Sequence, residues 1–428
     1  MIFAFAFCLI FFIIGAATYA GLRGIPWFLP VKLFLFFNGV MGLGILFALD
    51  YDNPDDIAHG VIVLASAFLY GLASILFANR FSLARLWRRF SPEMSVGQGK
   101  KDYFFSIALY AISGLAVFIY FQLVGYNVIL SSLAGGLSAA DVKDMRLASY
   151  AGDDYYAPGY FNQFKNILFP ISFLALSLHL RKRVKSRKIF AGLVLGLMLP
   201  VILGLMGTGQ RAFLVGFVVV SLLFMAIVSL RRFVIKKATL IVIVVSFIFL
   251  FSISSYLLGR AEEFSIGDSL QALAVRLFSD NQTAAVIGFR YIYNQPVQFG
   301  AEWWMDISGI FFPGERRGSD LANRIHALIY GSDRGTAPVS LWGSVYYNWG
   351  WFGILLFSPL LSFLYCLISR HFLRRVNLSS LQVAAYAFSF YVLGAWIASG
   401  PMQLVNNGVV ACMILIIGLR FQKSWRWR

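Results

Sequence analysis

The sequence predicts an all-α polytopic membrane protein of about eleven transmembrane helices, with a large helical loop outside the bilayer. Three observations predict it. Of the 428 residues, 59% are hydrophobic and only 13% charged, far from the balance of a soluble globular chain. Apolar runs close to the ~20 residues that carry an α-helix across the hydrocarbon recur along the whole length. The charges fall between those runs and segregate by side, as the bias of Lys and Arg towards the cytoplasm requires.

In order, the expected spans are Ile2 to Tyr19, Val31 to Leu49, Val61 to Phe77, Tyr103 to Val124, Phe161 to Leu180 and Ile189 to Met206. They continue with Ala212 to Leu230, Ala238 to Leu258, Trp349 to Ile368, Leu381 to Ala398 and Val405 to Leu419. The first run has no cationic segment before it, since Arg23 and Lys32 follow it, so it is expected to be retained rather than cleaved as a signal peptide. Cys8, Cys366 and Cys412 all fall in apolar runs and read as small buried hydrophobes, not as a disulfide framework. With no repeat, low-complexity tract or soluble linker, residues 1–428 are expected to form a single integral membrane domain.

A net charge of +17 raises a nucleic-acid partner as a possibility, and charge placement removes it. The clusters Arg80 to Lys101, Arg181 to Lys188, Arg231 to Lys237 and Arg370 to Arg375, with the tail from Arg420 and with Arg23 and Lys32, fall on one face. That face holds 25 of the 36 basic residues and two of the 19 acidic ones, Glu93 and Asp102. The basicity is therefore topological: carboxyl terminus inside, amino terminus outside.

Three outside segments have room for chemistry: Asp50 to Gly60, residues 125–160 and residues 260–348. The last carries Arg260, Arg276, Arg290, Arg316, Arg317, Arg324 and Arg334 and no lysine, a bias towards the planar donor that grips phosphate bidentately. Its stretches Leu270 to Leu277 and Thr283 to Ile292, with Trp303, Trp304, Phe311, Phe312 and Trp342, read as interfacial helices, and Ser138 to Tyr150 reads as an amphipathic helix in the loop before. Such aromatics suit the belt of any membrane protein and also stack on sugar rings. Gly207-Thr208-Gly209-Gln210-Arg211 is a very short turn between two spans. An arginine at hydrocarbon depth costs about 2.5–3.5 kcal/mol, so Arg211 is read as a cation for an anionic lipid headgroup, with glycines letting the backbone approach closely. Asp50 and Asp52, near His59, offer a divalent-cation site as the less favoured reading of an acidic, solvated run.

These features, with Tyr330 to Pro338 leading into Gly343, Tyr346 or Tyr347, Asn348, Trp349, Gly350 and Gly353, resemble the O-antigen polymerases of the Wzy type, the oligosaccharide repeat-unit polymerases. Arg324 and Gly335 also fit the Arg-x10-Gly spacing of some members. Ser344 departs from the pattern, standing where the family often has glutamate, so a base supplied there in relatives has to come from elsewhere in this chain.

The resemblance implies an architecture like the C-type glycosyltransferases. It implies lipopolysaccharide biosynthesis at the periplasmic face of a bacterial inner membrane: transfer of a growing glycan from undecaprenyl diphosphate onto a new lipid-linked repeat unit. A chain-length regulator and a flippase are the implied partners, and neither cofactor nor metal is expected. On that basis Arg211, Arg290 and Arg324, with Arg260 in reserve, are the candidates for the diphosphate, fixed cations placed where charge accumulates. His326 or Glu315 takes the acceptor proton. Tyr347 and Asn348 shape the cavity floor. Two other readings stay open, an O-antigen ligase delivering glycan to lipid A core and a flippase or transporter of the same lipid-linked sugars. The long outer loop and the near absence of acidic residues within the spans argue against passage.

Overall fold

The computed structural model describes residues 2–90, 100–135, 138–151, 158–229, 265–311, 321–331, 335–375 and 378–424, together with 245, 248, 251, 252 and 319. Among the described residues every regular element is helical. Seven helices are long and apolar enough to cross a membrane: α1 (Ile2–Gly21), α2 (Pro30–Ala48), α3 (Pro54–Arg80), α5 (Lys100–Val124), α10 (Arg187–Met206), α11 (Ala212–Ser229) and α16 (Leu341–Leu373). α4 is Leu83–Arg89, α6 Val128–Ala134, α7 Ala139–Ala151 and α8 Pro158–Gln163. α9 is Phe169–Arg183, α12 Ile266–Val275, α13 Asn281–Tyr293, α14 Ala301–Phe311 and α15 Leu321–Tyr330. α17 is Ser380–Gly394, α18 Met402–Asn406 and α19 Val409–Ser424.

The remaining expected spans take other forms. The run Phe161 to Leu180 is helical but passes through a π-turn, Phe164–Leu168. Pro170 lacks the N–H that would bond the Asn166 carbonyl, and just ahead of it the Phe169 N–H reaches back to Phe164 instead. α17 and α19 are shorter apolar helices. Ala238 to Leu258 lies almost wholly outside the described residues.

The chain divides into two compact units. The first comprises Met1–Ser91, Ala274–Arg375 and Val392–Val405. In it α3 and α16 run side by side in the same direction. Asp56 and Tyr346, near their amino-terminal ends, meet Arg290 and Phe289 of α13, whereas farther along Ser74 and Ser362 share a 2.9 Å hydrogen bond and Arg370 lies over Phe81. Phe34, Tyr70, Trp342 and Tyr365 form the aromatic centre. Each polar tip is satisfied: Tyr70 donates to the Val31 carbonyl, Tyr365 to that of Leu393, and Trp342 to Asn38 Oδ1.

Two backbone features set the amino-terminal part of α16 apart. Ser340, buried at φ +66°, is fixed by the 2.9 Å bond from the Leu341 N–H to the Ile397 carbonyl, and its hydroxyl caps the Gly343 N–H. Gly350, at φ 57° and ψ −149°, interrupts the helix in a conformation essentially reserved for glycine. The segment between them carries Ser344, Tyr347 and Asn348 and is set at its own angle to the rest of α16.

The second unit comprises Pro92–Leu273, Val376–Tyr391 and Asn406–Arg428. α5 packs on α9, the π-turn and α10, with Tyr110 stacked obliquely on Phe169 and donating to the Leu197 carbonyl at 2.7 Å. α11 joins through Phe217 against Phe173. α19 is tied to α17 by Gln382 Nε2 and the Ile416 carbonyl.

Candidate active site

In the first unit, α14 places Glu302 and Asp306 one turn apart on one face. Glu302 is 6% exposed. Its Oε2 accepts from Asn348 Nδ2 at 2.9 Å, and the Ser319 and Ser344 side chains also bond to the carboxylate. Ser344 Oγ in turn accepts from Trp303 Nε1 at 2.8 Å, and Asn348 Nδ2 is shared with the Ser344 carbonyl. The Ser319 N–H donates to Asp306 Oδ1 at 2.9 Å. Trp349 and Trp396 pack against Trp303, and Gly400 lies so close to Trp303 Nε1 and Ser344 Oγ that a side chain there has no room. The carboxylates thus sit in a tryptophan-walled recess on the half-helix ahead of Gly350.

That setting fixes their protonation. Burial lifts the Glu302 carboxyl above the ordinary glutamate range although its hydrogen bonds oppose the shift. Burial likewise pushes Asp306 up to about 6, and the nearby charge of Glu302 adds to it. A carboxyl shifted in this way takes up or releases a proton closer to neutral pH than an ordinary one does, which is the property of a general base or acid. Among the described residues the Oδ1 of fully buried Asn348 has no hydrogen-bond partner, an acceptor left over beside the pair.

α13 brings Arg290 to Asp56 in a fork of 2.6 and 2.7 Å, Nε to Oδ1 and Nη2 to Oδ2. Asp56 is 1% exposed and also accepts the Asp50 N–H at 2.7 Å. The Arg290 guanidinium is held firmly in its charged form by Asp56, with Asp50 and Asp55 adding to the field. Three carboxylates surround one cation, a net negative environment that opposes a diphosphate at this point. The stack of Tyr293 on Tyr346 links α13 to the half-helix. His59 is wholly buried and lies flat on Phe289 at 4.2 Å.

In the second unit, the short turn after α10 is built closely, as its glycines suggest. Gly209 holds φ +72° with the Arg146 side chain across it, and the Gly207 carbonyl accepts the Val128 N–H at 2.8 Å. Arg211 follows, half-buried, its guanidinium 4.5 Å over the Phe251 ring. Lys165, on the π-turn, points its Nζ at Asn166 Oδ1 (2.8 Å) and Thr208 Oγ1 (3.4 Å). Elsewhere in this unit Asp102, His179 and Ser380 have the composition of a nucleophilic triad but not its geometry. Serine and aspartate both sit on His179 Nε2, at 2.8 and 3.3 Å, where a relay needs opposite ring nitrogens. Asp102 instead caps the start of α17 through the Ser380 N–H and hydroxyl.

Of the residues singled out from sequence, Asn348 joins the carboxylate recess, whereas the carbonyl of Tyr347 accepts the Gln298 N–H at 3.0 Å. Arg290 is engaged by Asp56. His326 and exposed Arg324 are on α15, with the imidazole packed between Tyr330 and Gly335. The Arg324 to Gly335 spacing returns the chain onto α15, where Asn323 Nδ2 meets the Gly335 carbonyl at 2.8 Å. Arg211 belongs to the second unit, and Arg260 and Glu315 lie outside the described residues. Among the described residues no group of three or more His, Cys, Asp or Glu is placed to hold a metal ion. Comparison with protein-family models, curated proteins and solved structures finds no match.

Sequence reasoning missed Glu302 and Asp306. Their signal was an i, i+4 carboxylate pair around two tryptophans, and the vacancy noted at Ser344 asked for such a group.

Proposed function

We propose that the chain is a membrane glycosyltransferase that polymerises undecaprenyl-diphosphate-linked oligosaccharide repeat units at the periplasmic face of a bacterial inner membrane. The observation that carries the reading is Glu302, a buried carboxylate brought by another helix against Ser344 and Asn348. The resemblance leaves a glutamate missing at the Ser344 position, and Glu302 supplies the functional group there.

In the proposed step an acceptor sugar hydroxyl attacks the anomeric carbon of the donor. Its proton passes to Glu302, with Asp306 poised to share it. The bond from the anomeric carbon to the phosphate oxygen breaks, and its electron pair leaves with the lipid diphosphate. Arg324, in the same unit as Glu302, is the cation proposed for that leaving charge, and Arg211 and Arg260 are proposed for it from sequence alone. Arg290 becomes a positioning residue that fixes α13 to α3 through Asp56. Trp304 and Tyr330, both largely exposed, offer faces on which sugar rings stack. The finer architecture belongs to the same proposal: eleven spans in a C-type arrangement, working with a flippase and a chain-length regulator. The parallel course of α3 and α16 supports it, because spans three and nine of an eleven-span chain cross in the same direction.

The test is incubation of the purified protein with a single undecaprenyl-diphosphate repeat unit. A ladder of lengths is the expected product. Addition of one glycan to lipid A core would mark a ligase instead, and absence of any covalent product under conditions that move the lipid across vesicles would mark a transporter.

A further inference from the structure

Lys165 is unused by the acceptor chemistry and is out of the ordinary in its surroundings. It is 1% exposed, and among the described residues its Nζ has neutral company: Asn166 Oδ1, Thr208 Oγ1 and, at 5.4 Å, the ring of Phe213. A buried ammonium without a counter-ion is heavily penalised, so lysines in such places lose their proton or await an anion. The π-turn turns Lys165, Asn166 and Ile167 inward in succession, and π-turns recur at functional sites.

The neighbourhood supplies further donors. Thr208, itself 2% exposed, belongs to the turn that Arg146 crosses at Gly209 and that Arg211 follows. Arg146 and Arg211 are half-buried whereas Lys165 is buried in contact with Thr208, so the turn brings two more accessible cations into the neighbourhood of the enclosed ammonium. The 3.4 Å contact to Thr208 is the weaker of the two polar contacts of Nζ and the one to give way. A point charge, a hydroxyl and two planar guanidinium groups together suit a tetrahedral, multiply charged oxyanion better than a halide or a single carboxylate.

We propose that Lys165, Thr208, Arg211 and Arg146 form a binding site for a phosphate group, either the diphosphate of a polyprenyl donor or a phospholipid headgroup. The site is argued from its own residues, and it rests on the polymerase reading only for which of these sources fills it.

The experiment uses the full-length protein in phosphatidylcholine nanodiscs and follows its melting temperature. One arm adds inorganic pyrophosphate, with sodium chloride at matched ionic strength as control. The other replaces part of the lipid with phosphatidylglycerol. Lys165→Met and Arg211→Gln are compared with the unaltered protein. Lys165→Met is expected to melt higher than the parent in the absence of anion, because it removes an unpaired buried cation, and to lose the upward shift that pyrophosphate gives the parent. Arg211→Gln, which leaves Lys165 in place, is expected to keep its fold and show a reduced shift. A shift confined to phosphatidylglycerol assigns the site to a headgroup and also supports it. A shift that sodium chloride reproduces, one that Lys165→Met retains in full, or none in either arm overturns the proposal. Polymer ladders from a protein that shows no anion shift would sink this site and leave the polymerase standing. A Lys165-dependent shift in a protein that makes no polymer would do the reverse.

Discussion

Glu302 and Asp306 make the site titratable near neutrality, and the direction of their shifts fixes two outcomes. A base has to be unprotonated, so glycosyl transfer is expected to fall as pH drops through about 6, where Asp306 takes up its proton. Glu302→Gln keeps an acceptor for Asn348 but cannot take a proton, and the rate should fall roughly 10²–10⁴-fold. An unchanged rate and pH profile would remove Glu302 from the chemistry. Stability runs the other way. Both carboxyls are easier to protonate folded than unfolded, so their contribution is fully present below the unfolded-state values and is lost as pH rises through the folded ones. The melting temperature should therefore decline between about pH 4 and about pH 6, and Asp306→Asn should flatten that decline. A steeper decline in the variant would contradict the origin given to the shift.

At the scale of elements, the recess depends on how α3, α13, α14 and the half-helix of α16 are tied together, and the firmest tie is the fork between Arg290 of α13 and Asp56 of α3. Asp56→Asn leaves Arg290 with one neutral acceptor and removes a buried charge whose partner is only partly exposed, so it should cost about 3 kcal/mol at most. The unfolding midpoint in denaturant should shift accordingly. An equal cost from Arg290→Lys, which keeps the charge but loses the planar fork, would show that geometry rather than charge fixes α13.

Such pairings mark where sequence reading stopped. The apolar runs made the long helices legible, since composition and length decide a span. The glycine turn before Arg211 was legible because positive φ and close approach select glycine. The partner of Arg290 was not, because Asp56 is 234 positions away and sits in an acidic run that reads as solvated charge. Glu302 was hidden for the same reason: its burial comes from Asn348 and Ser344, which no local pattern connects to α14. The arginine bias of residues 260–348 suggested cations gathering on a phosphate, yet Arg290 faces carboxylates. Composition gives the donor type and tertiary pairing gives its use.

For the molecule as a whole, the proposal requires the carboxylate recess and the basic clusters to lie on opposite sides of the membrane. In the first unit the direction of α3 and α16 makes this testable. The recess lies near the start of α16, at Ser344, and α13 ties that end to the start of α3 through Tyr346 and Asp56, while Arg80 and Arg370 lie at the far ends. Each helix is long enough to span at about 1.5 Å per residue, so a residue beside the recess and one beside Arg374 should face different compartments. With Cys8, Cys366 and Cys412 replaced by serine or alanine, a single cysteine at partly exposed Gln298 and another at exposed Arg374 provide the two probes. A membrane-impermeant maleimide added to spheroplasts should label position 298, and position 374 only after lysis. Labelling of both before lysis would mean that α3 and α16 do not cross the bilayer. Labelling of 374 alone would place the recess in the cytoplasm, where a lipid-linked donor already moved to the outer leaflet cannot reach it.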